Sequence, residues 1–166
     1  AVYTALGVGS HLVYWGIEES RIKEFDWWEG ETILPGIDLI ATPARHFSGR
    51  SLTRNKTLWA SFVLKTNEHN LFLGGDSGYD AAFRTIGDNY GPFDLAILEC
   101  GQYNTMWPNI HMMPEETVQA AVDLDLATQA DVRALGSLVE PSVGTAAELD
   151  PRRGGVERRQ HAAEGG

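Results

Sequence analysis

The stretch Leu71-Phe72-Leu73-Gly74-Gly75-Asp76-Ser77-Gly78-Tyr79 decides how this chain is read. A short apolar run ends in two glycines, a carboxylate, a hydroxyl and a third glycine. That order predicts a buried strand running into a tight loop, with Asp76 at the strand's C-terminal tip. Open α/β folds place their ligand sites at strand C-termini. Glycine lets a backbone approach a ligand or metal without a Cβ in the way. Asp76 is the leading candidate for chemistry.

Upstream, Val2 to Leu6 predicts a short strand, and Ser10 is placed to cap a short helix that Gly16 ends. Ile22 to Ile33 reads as one strand-like segment holding Phe25, Trp27 and Trp28. Pro35-Gly36 predicts a hairpin turn into Ile37 to Thr42. A polar loop from Arg45 to Asn55 leads to a strand over Leu58 to Leu64, and Asn67 to Asn70 turns the chain into the opening stretch. Downstream, Ala81 to Asn89 predicts a helix with Ala82, Phe83 and Ile86 on one side. Asp94 to Glu99 predicts a buried strand whose end is a second candidate site position. Pro114-Glu115-Glu116 starts a helix through Asp123, because proline suits the first turn and acidic side chains suit the N-terminus. Strands first, then strand and helix alternating, give an α/β fold with a mixed sheet and helices against it.

The chain has 166 residues, is 43% hydrophobic and carries a net charge of -10. That suffices for one domain with a core, and the acidic balance argues against a nucleic-acid partner. The single cysteine, Cys100, excludes an internal disulfide framework and fits a reducing, cytoplasmic compartment. No apolar run approaches the roughly 20 residues of a membrane span. Ala1 begins in strand-like sequence rather than with Met, which suggests a fragment.

Three predicted strand-end loops each offer one residue for chemistry: His46, Asp76 and His111. Neutral imidazole and carboxylate are good zinc ligands, and a carboxylate can serve two ions at once. The plainer readings are surface histidines and an aspartate bonding to its own turn. A third reading takes Gly75-Asp76-Ser77-Gly78 as the surroundings of a nucleophilic serine with His46 as base. Tyr79 stands where a further glycine is needed, in that pattern and in the Gly-x-Ser-x-Gly elbow alike.

Five segments in series carry a family resemblance. They are Thr42 to Arg50 (Thr-Pro-Ala-Arg-His-Phe-Ser-Gly-Arg), Leu58 to Phe62, Gly75 to Tyr79, Gly91 to Ala96 and Ile110 to Glu115. In this order they resemble the metallo-β-lactamase superfamily, in the branch of N-acylphosphatidylethanolamine-hydrolysing phospholipase D and its bacterial relatives. The resemblance implies part of an αββα sandwich lacking its N-terminal half, over residues 1–126. It implies His46 as a metal ligand, Asp76 as the carboxylate bridging two zinc ions, and His111 beside the reacting group, so that His111 and Asp76 are the catalytic candidates. Arg50, Ser77, Tyr79 and Trp107 match positions around that site. The implied reaction is attack of metal-bound hydroxide on a phosphodiester or related ester. A small-molecule or lipid substrate is implied, with a membrane surface as a further partner of the intact parent. The rival class is a non-catalytic remnant or binding module that keeps the sheet and has lost the metal.

Two departures qualify the resemblance. The family's His-x-His-x-Asp-His motif is absent, and so is the His-Trp-Gly expected after the helix that starts at Pro114; only His161 follows, in an unrelated context. Two family ligands do not complete a two-zinc centre, so this chain is expected to be inactive alone. Residues 127–166 lack Phe, Trp and Tyr and read as a frameshifted or disordered tail. Val132 to Gly136 can be encoded GTT CGT GCA CTG GGG, which read one base later gives Phe-Val-His-Trp-Gly. Val143 to Thr145 likewise yields the Trp-Glu-Pro that follows it in the family. A frameshift between about Asp123 and Asp131 accounts for both words; a divergent natural tail is the alternative.

Overall fold

The computed structural model describes residues 1–49, 55–99 and 103–126. Its elements are β1 (Val2–Ala5), α1 (Gly9–Tyr14), a 3-10 turn (Glu19–Arg21), β2 (Ile22–Phe25), β3 (Gly30–Leu34), β4 (Ile37–Pro43), β5 (Ala60–Thr66), β6 (Asn70–Leu73), α2 (Ala82–Tyr90), β7 (Leu95–Ile97) and α3 (Pro114–Asp123). Strands β1 and β2 form a parallel pair, while the other five form one sheet in the order β3-β4-β5-β6-β7. Neighbours in that sheet run antiparallel except β6 and β7, which are parallel. Parallel neighbours need a crossover, and α2 supplies it.

The hairpin at Pro35-Gly36 forms as expected, with Gly36 at φ 76°, a region open to glycine at no steric cost. Three expectations are corrected. Ile22 to Ile33 is not one strand: β2 pairs with β1 and β3 with β4, and Trp28 breaks the run at φ 70°. Polar side chains hold this turn, with Asp26 Oδ1 accepting the Trp27 amide at 2.7 Å and Glu29 Oε2 accepting the Asp26 amide at 2.9 Å. The strand expected over Asp94 to Glu99 is only three residues long, and its Leu95 and Ile97 are exposed rather than buried. Among the described residues it is a sheet edge, with a neighbour on one side only. In α1, Ser10 sits inside the first turn and bonds to the Gly7 carbonyl instead of capping the helix.

The core lies between the five-stranded sheet and helices α2 and α3. Val63 of β5 and Phe72 of β6 meet Phe83 and Ile86 of α2, Ala120 of α3, and Phe93, Met112 and Leu124. Phe72 makes edge contacts with Phe83 at 6.1 Å and Phe93 at 5.9 Å, the geometry aromatic quadrupoles favour. Each large side chain buried this way contributes about 1.5–3 kcal/mol. Helices α2 and α3 cross at Gly87, where an added Cβ would run into the Asp123 carbonyl. This packing fixes the C-terminal ends of β6 and β7, from which the candidate site is built.

Candidate metal centre

Three chain segments converge beyond the strand ends. The loop after β4 carries Arg45 and His46, the loop after β6 carries Asp76, and the segment before α3 carries His111. Arg45 ties all three. Its amide donates to Ser77 Oγ at 2.9 Å, its carbonyl accepts the Gly78 amide at 2.9 Å, and its guanidinium donates to the Tyr79 carbonyl and to Asn109 Oδ1. Gly78 is required where two of these loops touch, since a Cβ there would lie 2.5 Å from the Asn109 carbonyl carbon. Ser77 is 4% exposed, and its hydroxyl donates to the Gly78 carbonyl while accepting the Arg45 amide. That is a structural hydroxyl. The serine-nucleophile reading loses its residue.

His46 is held by one hydrogen bond and two stacked rings. Its Nδ1 pairs with the Phe47 carbonyl at 2.6 Å, and its ring stacks on Phe47 at 4.8 Å and on Trp59 at 4.4 Å. A carbonyl only accepts, so Nδ1 carries the proton and Nε2 keeps its lone pair. The Trp59 indole donates to the Asp76 carbonyl at 2.8 Å, so one aromatic side chain orients both the imidazole and the strand tip. The Asp76 side chain itself is exposed.

The structure gives a role in the cluster to Glu99, the end of the predicted strand that was the second candidate site position. Asp76, Glu99 and His111 bring donor atoms within 4.8 Å of one another. A tetrahedral zinc with ligands at about 2.1 Å sets donor–donor edges of roughly 3.4 Å, which falls inside that spacing. His46 and Asp76, the pair expected to share a metal, are not grouped this way; the His46 ring instead lies 5.7 Å from that of His111. The strand-end rule that singled out Asp76 also pointed to the position of Glu99, although it did not name the carboxylate as a donor. Arg50, Cys100, His161 and the shifted-frame words of the tail lie outside the described residues.

Beside His46 runs a cleft of ≈ 560 Å³, walled by Leu6, Trp27, Leu58 and Trp59, with Arg45 and Lys56 among its polar residues. Among the described residues no helix is long and apolar enough to cross a membrane.

Residues 1–130 match the family model of the beta-lactamase superfamily domain. The chain belongs to the metallo-β-lactamase superfamily. A Mycobacterium tuberculosis relative within it is 50% identical over 119 residues, 72% of this chain but 32% of its own length. The chain therefore spans about a third of that protein. The outer membrane protein RomA of Klebsiella pneumoniae is 61% identical over 82 residues, covering 49% of this chain and 62% of RomA. The mitochondrial N-acyl-phosphatidylethanolamine-hydrolyzing phospholipase D of Saccharomyces cerevisiae is 37% identical over 129 residues, covering 72% of this chain and 27% of the yeast protein. A crystal structure from Parabacteroides distasonis, provisionally named a metal-dependent hydrolase, superposes with a TM-score of 0.51 at 13% identity. That likeness covers 75% of this chain and 56% of the other. It supports the fold: sheets with flanking helices, covering part of the metallo-β-lactamase architecture.

Proposed function

We propose that this chain is part of a zinc-dependent hydrolase of the superfamily, acting on a phosphodiester of a lipid or other amphiphile. The observation that carries the reading is the convergence of Asp76, Glu99 and His111 within 4.8 Å at the strand ends, with His46 alongside. The donor chemistry fits zinc, because carboxylate oxygens and neutral imidazoles are its usual partners. Asp76, exposed and anionic, would hold the ion with His111 as its nitrogen donor, and His46 would stand alongside, its ring 5.7 Å from that of His111. Bound zinc supplies Lewis acidity and a water of lowered pKa. The chain's own residues orient the rest: Trp59 fixes the Asp76 backbone, and Arg45 locks the three loops in one arrangement. The apolar walls of the cleft suit a substrate tail, and its cationic residues suit a phosphate. The yeast relative's name supports a phospholipid substrate, and RomA's name supports a membrane-associated setting.

Two ions need more donors than the described residues supply, so in this reading the catalytic form draws on donors outside them. The tail belongs to the same proposal: the coding DNA between about residues 123 and 131 carries a one-base shift. Absence of His-Trp-Gly codons in the shifted frame ends that part.

Elemental analysis of the purified chain, and of the longest protein that contains it, tests the main claim. Bound zinc that is lost in Asp76→Ala, together with phosphodiesterase activity abolished by chelator, is the expected result. Activity that persists in chelator overturns it. The rival, a non-catalytic module of the same fold, draws on the absence of His46 from the donor group. It predicts no zinc in either form.

A further inference from the structure

Glu99 is usually a poor prospect for burial, since a carboxylate without partners is costly to remove from water. Its side chain is nevertheless 7% exposed, beside His111 at 16%. The partners explain it. Oε1 accepts the Met112 amide, and Oε2 pairs with His111 Nδ1 at 3.2 Å. The Thr117 hydroxyl lies 3.5 Å from the Glu99 carbonyl, which places the residue against the start of α3, the end of a helix that favours negative charge. The neighbouring acid is occupied elsewhere, with Glu116 Oε2 accepting the Met113 amide at 2.8 Å.

We infer that Glu99 is a positioning residue: whenever the His111 ring is neutral, Glu99 holds it in the Nδ1–H tautomer and leaves Nε2 as that ring's one lone pair. An ionised carboxylate can only accept, so the nitrogen facing it must carry the proton. Both Glu99 oxygens are taken by the His111–Met112 segment, whereas the Asp76 carboxylate is exposed and has no hydrogen-bond partner among the described residues. Glu99 therefore acts on His111, and Asp76 is the carboxylate that would hold an ion. His46 shows the same device in a neutral form, with the Phe47 carbonyl in place of the carboxylate. A carboxylate behind an imidazole fixes its orientation and raises its basicity as a ligand.

The inference rests on the hydrolase reading for its catalytic meaning, but its test does not. Long-range proton–nitrogen correlation spectra of the metal-free protein, taken where free imidazole is neutral, report the tautomer of each histidine. Wild-type His111 is expected as Nδ1–H. In Glu99→Gln the new carbonyl oxygen keeps the Met112 amide and the NH₂ faces Nδ1, which must then accept, so His111 should switch to Nε2–H. Wild-type His111 found as Nε2–H, or a variant still Nδ1–H, overturns the inference. In the longest protein containing this chain, E99Q should retain zinc and lose about 10- to 100-fold in kcat with KM unchanged. Loss of all zinc in E99Q with the tautomer unmoved makes Glu99 a ligand and also overturns it. Should E99Q not fold, the wild-type spectrum still decides. A wild type that binds no zinc yet shows Nδ1–H ends the hydrolase reading and leaves this one standing.

Discussion

Helix α3 has a buried carboxylate at each end, Glu99 packed against its start and Asp123 as its last residue, with side chains 7% and 4% exposed. Their surroundings differ. Asp123 sits at the helix end that repels negative charge, and three side chains compensate: the Tyr79 hydroxyl at 2.5 Å, Arg84 at 2.9 Å and Gln119 at 3.1 Å. All three come from α2, α3 or the loop between β6 and α2, so this end fastens helix to helix and helix to sheet. Glu99 sits at the favourable end and binds a backbone amide and one imidazole. A buried carboxylate with a permanent cation and a phenol is architecture. One whose side-chain partner is a histidine in a cluster of metal-type donors belongs to the candidate site.

The largest effect tests the architectural end. Gly87→Ala forces the α2–α3 crossing open against the Asp123 carbonyl and should cost about 3 kcal/mol, at the upper end of ordinary overpacking. Chemical denaturation would read it, and an unchanged midpoint would mean the helices are not in such close contact. Next, Tyr79→Phe removes a hydrogen bond to a charged group and should cost about 2 kcal/mol. It should leave the His111 tautomer and zinc content as in wild type. If it alters either, the two ends of α3 are coupled and the contrast fails.

Tyr79 also gives the comparison a pH signature. Its hydrogen bond to Asp123, with burial second, holds its pKa above the ordinary 10.0. The folded state therefore keeps a proton that the unfolded chain gives up. This contribution is complete below pH 10.0 and is lost as pH rises through the folded pKa. An alkaline stability profile should show the loss in wild type and lack it in Y79F.

Glu99→Gln should change stability by only about 1 kcal/mol, because the Met112 amide keeps an acceptor, while reversing the tautomer of His111. A small stability change with a large change at the site is the contrast in its sharpest form. The smallest effect belongs to a control far from both ends. Lys23 and Glu31 form an exposed ion pair at 2.6 Å between β2 and β3. Lys23→Gln should shift the midpoint less than any change above, and salt should erase the difference.

Where local pattern and final structure share a cause, the sequence was readable. Asp76 follows a strand because an apolar run must end before two glycines. The hairpin at Pro35-Gly36 and the start of α3 at Pro114 follow from backbone restrictions carried by those residues. The failures have a common source. Phe25, Trp27 and Trp28 look like one strand because aromatic residues suit strands, yet the chain turns there through bonds made by the Asp26 and Glu29 side chains. Leu95 and Ile97 look buried by type, but among the described residues their strand has a neighbour on one side only. Glu99 shows nothing in its own neighbourhood that names His111, twelve positions along, as its partner. Only the tertiary path brings them together. His46 was correctly placed at a strand-end loop, while its distance from the donor group could not be read from spacing.

The single parallel pairing in the larger sheet also bears on the order in which the protein folds. Strands β3 to β6 pair with immediate chain neighbours, whereas β7 reaches β6 only after α2 has crossed over. Contacts between distant residues form later, because loop closure must come first. Pulsed hydrogen exchange should find the amides of the β3–β4 and β5–β6 hairpins protected before those of β7. A chain still short of that step already displays His46 and Asp76, but not yet the partners that β7 and α3 deliver. Capture of a metal would then mark the last stage of folding.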